Sequence, residues 1–495
     1  MSSINGRVRW AGLGACLLVL VVFAQLNYIQ VFHAKALTDN PLNTSHVIQQ
    51  YSLPRGAIIS ADGVTLAESV ASHDQYKYQR VYPTGALFGQ ITGYYSLTYG
   101  TDGLEREYNS LLSKSTSNVR LPGSLHQLEK LLTTEPGPDN LHITVLASLQ
   151  KLAEQQLAGR YGAVVAIAPK TGAVLAMYSN PSYNPTPLAS PNPSVEQSAW
   201  KTLLANPGTP LAAAAYRQRF FPGSTFKVVT ASAVYDHNPS LAKKDFPVIS
   251  AFPLPDTSNQ LMHNFANSAC GGQMLELFTV SCDTGFAQLG LGVGGKALAD
   301  EAKAFGWDQP VPLDLPGVAQ SYFPPASSFN RNAGALAKSA IGQESVQAVP
   351  LTMALDAAAI ADKGVIMTPH LMADVTGSQG QVVKTYKPKP WLRATSPATA
   401  AKVTTLMLSV VNSPNGTGVA ARIPGIEVAG KTGTAQTGGS SIETWFVAFA
   451  PAQNPKIAVC VLVENQPLGV QYQGGTIAAP IAKAIIQSYL QGRAS

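Results

Sequence analysis

The chain has 495 residues, more than one hydrophobic core usually serves, so we expect at least two folded units. Charged residues make up only 13%, about half of the roughly 25% typical of soluble domains, which excludes long charge-rich disordered tails. The net charge of +6 is not concentrated in Lys/Arg runs, so we expect no nucleic-acid binding. Four cysteines without CxxC spacing and eight histidines without HExxH predict no metal site.

An apolar segment lies close to the N-terminus. Residues 10–24 are uninterruptedly apolar or small, and the segment can continue to Phe32 because it contains only a few polar residues after residue 24. This length predicts a transmembrane anchor over residues 10–32. The alternative is a signal peptide cleaved after residues 34–36, but that position lies far beyond the strong apolar run, which favours a retained anchor.

Two arginines, Arg7 and Arg9, precede the apolar segment. The positive-inside tendency then places residues 1–9 in the cytoplasm and everything after the anchor outside it. With either an anchor or a signal peptide, the body of the protein is expected to be extracytoplasmic.

Residues 34–139 combine short strand-like pieces with turn signals and specify no chemistry of their own. Residues 136–140, with the sequence PGPDN, indicate a linker. We therefore predict a smaller N-terminal unit over residues 34–139 and a larger unit over residues 140–495.

The larger unit has strand signals at both of its ends. A predicted helix over residues 143–157 is followed by a hairpin of strands 163–168 and 173–178. Further strands are predicted at 428–436, 444–450 and 456–464, before a final helix. Because the middle, from 200 to 364, is largely helical, we predict an α+β fold. We predict that strands from both ends of residues 140–495 form one antiparallel five-stranded sheet, and that a cleft separates this sheet from a helical lobe.

The sequence PGSTFK, residues 222–227, opens one of the helical runs. Ser224 would lie at the helix N-terminus, with Lys227 three residues later on the same face. A serine hydroxyl becomes a good nucleophile when a base removes its proton, and a lysine can do so where burial favours its neutral form. Taken alone, the pair is also compatible with an N-cap serine and a solvated lysine.

Two further motifs favour the catalytic interpretation of the Ser224–Lys227 pair. Ser281-Cys282-Asp283 follows an apolar helical stretch, and Lys431-Thr432-Gly433 lies in a predicted strand and is followed by Thr434. A Ser–Lys pair, a second serine and KTG, in this order, form the nucleophile set of penicillin-recognising serine enzymes.

Six segments resemble those of class B high-molecular-weight penicillin-binding proteins. They are PGSTFK (222–227), TVSCDTGFAQL (279–289), IGQESVQAVPLTMA (341–354), GTGVAA (416–421), VAGKTGTAQ (428–436) and WFVAFAP (445–451). The anchor and the PRG and GLE pieces also fit, so the resemblance covers nearly the whole chain. It implies a penicillin-binding transpeptidase domain of serine β-lactamase-like fold on a smaller, non-catalytic N-terminal pedestal. The implied activity is that of a monofunctional D,D-transpeptidase, which cross-links peptidoglycan outside the cell.

The resemblance also implies roles for four catalytic residues. Ser224 would attack the penultimate D-Ala carbonyl of a stem peptide, and Lys227 would take its proton. Ser281, assisted by Lys431, would pass a proton to the leaving D-Ala. Ser224 would also be acylated by β-lactams, which inhibit the enzyme.

Substrate binding is implied for Thr432, Gly433 and Thr434 on the KTG strand and for Asp283. The backbone N–H groups of Ser224 and Thr434 would form the oxyanion hole. Position 283 departs from the family, which usually has Asn there, and an ionised carboxylate cannot donate a hydrogen bond to a substrate carbonyl. We expect Asp283 to be ionised between the two lysines; the alternative is a protonated Asp283 that donates as Asn would.

Cys270 and Cys282 lie beside the middle motif on the expected oxidising side of the membrane. They are compatible with a disulfide that braces the site, or with two buried thiols.

No cofactor is expected. The expected partners are peptidoglycan stem peptides, β-lactam antibiotics, the membrane, a membrane glycan polymerase and other wall-synthesis proteins. A bifunctional enzyme is disfavoured because no paired-carboxylate glycosyltransferase motif precedes residue 140, and a β-lactamase is disfavoured by the anchor and pedestal. A β-lactam sensor or an inactive wall-binding scaffold remains the alternative, and a role in elongation or in division stays open.

Overall fold

The computed structural model describes residues 3–28, 51–74, 76–113, 137–439 and 441–492. These residues belong to two compact units. One unit comprises Met1–Pro54 with Val70–Gln79, and the other comprises Arg55–Ser69 with Arg80–Ser495.

The first unit contains helix α1, Ser3–Tyr28. Its stretch Val8–Tyr28 has 21 residues with a mean hydropathy of 1.9, so it is long and apolar enough to cross a membrane. The last residues of the predicted anchor, 29–32, and the alternative cleavage site at 34–36 lie outside the described residues. The helix is therefore compatible with a single-pass membrane anchor.

The remaining described α-helices, α2 to α14, are Gly89–Thr92, Gly103–Glu107, Asn109–Leu112, Ala147–Leu157, Pro193–Ala205, Lys227–His237, Met274–Thr279, Asp283–Val293, Gly295–Ala304, Ala333–Ser339, Pro350–Ala361, Pro397–Asn412 and Ala479–Gln491. The described strands β1 to β19 are Ile58–Ile59, Thr65–Ala71, Tyr78–Val81, Tyr95–Ser96, Gly100–Thr101, Asn140–Ile143, Gly162–Ile167, Val174–Asn180, Phe246–Ile249, Ala251–Pro253, Leu261–His263, Cys270–Gly272, Val365–Met367, Met372–Thr376, Val382–Thr385, Pro390–Arg393, Ala429–Gln436, Ser441–Ala450 and Ile457–Pro467.

A five-stranded antiparallel sheet joins the two ends of residues 140–495, in the order β17-β18-β19-β7-β8. This confirms the predicted sheet. Successive residues of β7 pack into two different cores: Val165 lies with the residues of α12, and Val164 lies with those of α5 and α14. Because helices cover both faces of the sheet, strands β7, β8, β18 and β19 carry continuous apolar runs, in which polar and apolar residues do not alternate.

A six-stranded sheet has the order β15-β14-β6-β1-β2-β3. Strand β6 pairs parallel with β1 and antiparallel with β14. The prediction of a helix over residues 143–157 was wrong at its start, because the helix begins at Ala147 and Ile143 ends strand β6. Leu141 and Ile143 are both fully buried, which is the two-residue period of a strand.

The helical lobe is built from α7 to α11, with short strands β9 to β12 beside them. Helix α12, which is buried along its whole length, packs between this lobe and the five-stranded sheet. The predicted helical middle is thus confirmed, with small two-stranded sheets added to it.

Candidate active site

A groove of about 980 Å³ opens between the edge strand β17 and the helical lobe. Five of the sequence-predicted site residues line it: Ser224, Ser281, Asp283, Thr432 and Thr434. The two predicted catalytic lysines, Lys227 and Lys431, lie behind this wall with no exposed surface. The structure therefore brings the three motifs together, although they are far apart in the chain.

Ser224 lies in a single 3-10 turn, Gly223–Phe226, that leads directly into α7. Two glycines allow this turn to approach strand β17. A Cβ at Gly223, whose φ is +52°, would lie 2.8 Å from the carbonyl oxygen of Thr434. A Cβ at Gly433 would lie 2.8 Å from the carbonyl oxygen of Pro222. The glycine of the KTG motif thus allows the edge strand to pack closely against the turn that carries Ser224.

The middle motif is a tight connection between α8 and α9. Ser281 has a left-handed φ of +59°, and α9 begins at Asp283. A disulfide joins Cys282 to Cys270 of β12, with a Cα–Cα distance of 5.8 Å. The Asn264 side chain accepts the N–H of Thr284 at 2.9 Å, so the first turn of α9 is held by a residue from outside the helix.

Hydrogen bonds link the predicted catalytic side chains into a continuous cluster. Lys227 Nζ donates to Asp283 Oδ1 at 2.7 Å, to the carbonyl oxygen of Ser281 at 2.8 Å and to Ser281 Oγ at 3.4 Å. Lys431 Nζ donates to Ser281 Oγ at 2.7 Å. The Ser224 hydroxyl donates to Asp283 Oδ1 at 3.3 Å. Asp283 therefore bridges Ser224 and Lys227, while Ser281 bridges the two lysines.

Burial shifts both lysines towards the neutral form. It lowers the pKa of Lys227, while the attraction and hydrogen bond of Asp283 act in the opposite direction. The pKa of Lys431 is lowered well below its ordinary value by burial and by the charge of Lys227, again opposed by Asp283. A neutral amine is what a general base needs, so the geometry suits proton transfer at the serine.

Thr417 also belongs to the site, although no sequence motif singled it out. Its hydroxyl lies 2.6 Å from that of Thr432, and both residues line the groove. The GTG sequence around Thr417 belongs to the GTGVAA segment, and it is the sequence feature that could have indicated this residue. A Cβ at Gly475 would lie 2.1 Å from the Thr417 carbonyl oxygen, so a glycine also allows this close packing.

Acidic, cysteine and histidine side chains do not gather in a metal-binding group: within the described ranges, no three of them could hold an ion together. The described side chains that line the groove are hydroxyls, amides, one lysine, one histidine and apolar groups, together with the carboxylates Asp283 and Glu344.

The fold, the groove and the three motifs agree with a comparison of the sequence against known families. Residues 162–487 match the penicillin binding protein transpeptidase domain, and residues 55–135 match the penicillin binding protein A dimerisation domain. The chain belongs to the penicillin-binding protein transpeptidase family.

Within this family the chain is similar to the peptidoglycan D,D-transpeptidase PbpA of Mycobacterium tuberculosis, with 37% identity over 99% of both chains. The PbpA of Mycolicibacterium smegmatis is 36% identical over 98% of this chain and 99% of its own. The solved M. tuberculosis penicillin-binding protein A, as its ceftriaxone acyl-enzyme complex, has a TM-score of 0.81 and 36% identity. That match covers 90% of this chain and 100% of the solved chain. These likenesses confirm the predicted family and fold class.

Proposed function

We propose that the chain is a serine-type peptidoglycan D,D-transpeptidase. The observation that carries this proposal is the cluster around Ser224, in which two fully buried lysines meet at Ser281 behind a groove-lining serine. The proposal is supported by the similar M. tuberculosis protein, which has been solved as acyl-enzyme complexes with ceftriaxone, imipenem and penicillin G.

In the first half-reaction, Ser224 Oγ attacks the carbonyl carbon of the penultimate D-Ala of a stem peptide. Lys227, with its pKa lowered by burial, takes the hydroxyl proton; Asp283 Oδ1, which meets both groups, aligns them. The backbone N–H groups of Ser224 and Thr434 stabilise the oxyanion. The C–N bond then breaks, and Ser281, hydrogen-bonded to Lys227 and Lys431, gives its proton to the leaving D-Ala nitrogen and receives in return the proton that Lys227 took from Ser224.

The KTG strand recognises the substrate carboxylate. Thr432 and Thr434 present hydroxyls to the groove, Lys431 lies behind them, and Gly433 keeps the strand close to the turn that carries Ser224. In the second half-reaction, the amine of a neighbouring stem peptide attacks the ester carbonyl, the C–Oγ bond breaks, and the proton lost by the nitrogen returns to Ser224. β-Lactams acylate the same serine because their ring amide occupies the place of the D-Ala–D-Ala bond.

The organisation of the chain follows from the same proposal. Residues 10–32 anchor the protein in the cell membrane with residues 1–9 in the cytoplasm. Residues 34–139 form the pedestal, and residues 140–495 form the transpeptidase domain outside the cell. A membrane glycan polymerase and other wall-synthesis proteins are the partners that such an enzyme needs, because it cross-links strands that another activity supplies.

The direct test is release of D-Ala from a stem peptide ending in D-Ala–D-Ala, followed together with formation of the cross-linked dimer. The wild-type chain is expected to give both products, and Ser224→Ala neither. A chain that is acylated by penicillin but releases no D-Ala would instead be a β-lactam sensor. A chain that is not acylated at all would be a scaffold.

A further inference from the structure

Two side chains of strand β18, Glu443 and Trp445, bind the backbone of Phe221. Trp445 Nε1 donates to the carbonyl oxygen of Phe221 at 2.9 Å, and the N–H of Phe221 donates to the carboxyl group of Glu443. Residues two apart on a strand point to the same face of the sheet. One strand therefore fixes both polar groups of the Phe221 backbone.

Phe221 lies three residues before Ser224 and lines the groove. Between the two, the N–H of Gly223 donates to the carbonyl oxygen of Gly342 at 3.0 Å. The intervening segment is short and restrained, so a displacement of Phe221 also displaces the turn that carries Ser224.

Glu443 faces a second carboxyl group, that of Glu464 on β19. At this point two residues of β19, Glu464 and Asn465, lie opposite the single residue Glu443, which is the arrangement of a β-bulge. The bulge brings the carboxyl of Glu464 close enough for its charge to act on Glu443. Glu464 also lines a polar pocket of about 180 Å³, which gives water access to this side of the pair.

Neither carboxyl group is compensated by a cation of the described residues. Glu443 is 9% exposed, and its Oε2 has no hydrogen-bond partner in the described ranges. Burial raises the pKa of Glu443 to about 8, opposed by the N–H of Phe221 and reinforced by the charge of Glu464, and burial raises the pKa of Glu464 to about 7. On its other side Glu443 pairs with Ala435 of β17, and residues 220–222 carry no titratable side chain, so Glu464 is the titratable group that faces it.

An ionised Glu443 is unfavourable in the position that the neutral group occupies. A buried charge without a partner is costly, and a second carboxylate nearby repels it. Rotation of the side chain towards the pocket relieves both effects because the carboxylate then reaches water, but this rotation breaks the hydrogen bond to Phe221. A glutamine would accept that bond at any pH, so the bond alone does not account for an acid at position 443.

We propose that Glu443 is a positioning residue for acylation, and that its ionisation releases Phe221 and displaces Ser224 from its productive position. The facing carboxyls of Glu443 and Glu464 then set an alkaline limit on the reaction, whereas the ionisation of Lys227 sets the acidic limit. This inference rests on the proposed function, because the rate concerned is that of acylation at Ser224.

The first measurement is the rate of labelling by a fluorescent penicillin from about pH 6 to about pH 10. Glu443→Gln keeps the hydrogen-bond acceptor and cannot ionise. The ratio of the wild-type rate to the rate of this variant is expected to be close to one at about pH 6.5 and to fall about fivefold above about pH 9, the effect of about one lost hydrogen bond. Glu443→Leu, which has no acceptor, should be about fivefold slower than wild type already at neutral pH.

The second measurement does not depend on catalysis. Hydrogen exchange in peptides that cover residues 218–224, corrected for the intrinsic rate at each pH, reports on the N–H of Phe221. In the wild-type chain the protection of this amide is expected to fall about fivefold between about pH 7 and about pH 9.5. Glu443→Gln should keep the protection over the whole range.

The melting temperature checks the ionisation itself. The pKa of Glu443 in the folded state lies above the unfolded value of about 4.3, so the stability contributed by the neutral group is complete in acid and is lost as the pH rises through about 8. The melting temperature of the wild-type chain should therefore fall relative to that of Glu443→Gln over this range.

Glu301 on α10 provides the matched control. Burial raises the pKa of this carboxyl as well, to about 9, but Glu301 lies beside His237 at the C-terminal end of α7, away from Phe221. Glu301→Gln is expected to leave both the alkaline fall in the labelling rate and the protection of Phe221 unchanged.

A Glu443→Gln variant whose labelling profile superimposes on that of the wild-type chain would overturn the inference. Protection of Phe221 that stays constant or rises with pH in the wild-type chain would do the same. D-Ala release, measured on the same samples, reports separately on the proposed function. A chain in which the protection of Phe221 follows Glu443 but which releases no D-Ala would retain the pH-dependent contact and lose the transpeptidase assignment.

Discussion

Asp283 contacts two of the proposed catalytic groups at once. One of its oxygens, Oδ1, accepts the Ser224 hydroxyl and also forms an ion pair with Lys227 at 2.7 Å. In the family the usual residue here is an asparagine, whose amide oxygen could accept the same bonds without a charge. The carboxylate thus adds an electrostatic effect on Lys227 that asparagine would not have.

We expect Asp283→Asn to move the pH profile of acylation to lower pH. Burial lowers the pKa of Lys227, and the attraction of Asp283 partly counteracts this. Without the carboxylate the pKa falls further, so the neutral base is present at lower pH, by about one pH unit or more. The measurement is the rate of labelling by a fluorescent penicillin across a pH series. A profile that superimposes on that of the wild-type chain, from a folded variant, would show that Asp283 does not set the ionisation of Lys227.

Thr417 offers a test of carboxylate recognition. Its hydroxyl can donate to Thr432 Oγ1, which leaves the Thr432 proton free for the substrate carboxylate. We expect Thr417→Val, which keeps the shape and loses the hydroxyl, to slow acylation by carboxylate-bearing penicillins about fivefold, the effect of about one lost hydrogen bond. Thr417→Ser keeps the hydroxyl and should stay close to wild type. Equal acylation rates for the valine and serine variants would refute this role.

At the scale of elements, the connection between α8 and α9 carries Ser281, and Asp283 follows as the first residue of α9. This connection is held from outside by Asn264, whose amide donates to the carbonyl oxygens of Ile249 and Ser268 while its oxygen caps α9. The Cys270–Cys282 disulfide ties the same connection to β12. Two independent restraints therefore fix a turn in which Ser281 has an unfavourable φ.

Removing the disulfide should lower the stability of the unit that contains it. It closes a loop with a sequence separation of 12, and loops of this size typically contribute about 2–4 kcal/mol. The double substitution Cys270→Ser/Cys282→Ser is expected to lower the midpoint of urea unfolding accordingly. Non-reducing peptide mass spectrometry of exported protein checks the bond itself. Two free thiols in that protein, or an unchanged midpoint, would argue against a bracing role.

Sequence patterns predicted the elements of this site better than their contacts. Ser224 at a helix start and Lys431 in a strand follow from local motifs, because a turn and a strand are determined over a few residues. The contact of Thr417 with Thr432 and the capping of α9 by Asn264 depend on how separate segments pack. No local period or spacing encodes such packing.

At the scale of the whole molecule, a buried charge network lies beside the six-stranded sheet. Glu105 is fully buried and pairs with Arg55 at 2.8 Å and with Arg80 at 2.6 Å. Burial alone would raise the pKa of Glu105, but the two arginines outweigh it and hold this pKa below its usual value. The PRG and GLE pieces of the sequence thus meet in one ion-pair network.

We expect Glu105→Gln to destabilise the fold by about 3 kcal/mol or more, because two buried arginines would lose their counter-charge. The pKa of Glu105 is lower in the folded state, so its contribution is present above the unfolded value of about 4.3 and is lost as pH falls through the folded value. The stability difference between wild type and variant should therefore shrink in acid. Urea unfolding at neutral and acidic pH measures this. A difference that stays constant with pH would contradict the charge-based explanation.

The same scale limits what the sequence could predict. The five-stranded sheet could be predicted because most of its strands carry long apolar runs, which lie near both ends of residues 140–495. The six-stranded sheet could not, because β6 pairs with β14, more than two hundred residues later, and both strands are short. The pairing of β6 with β14 is determined by how distant segments pack together, so the local sequence of either strand gives little sign of it.

The central claim is that Ser224 is the acylated nucleophile, and peptide mapping after labelling with a fluorescent penicillin tests it most directly. We expect the label on the tryptic peptide that contains Ser224 in the wild-type chain. Ser224→Ala should bind no label while keeping the melting temperature of the parent. A label on any other residue, or undiminished labelling of the alanine variant, would contradict the account.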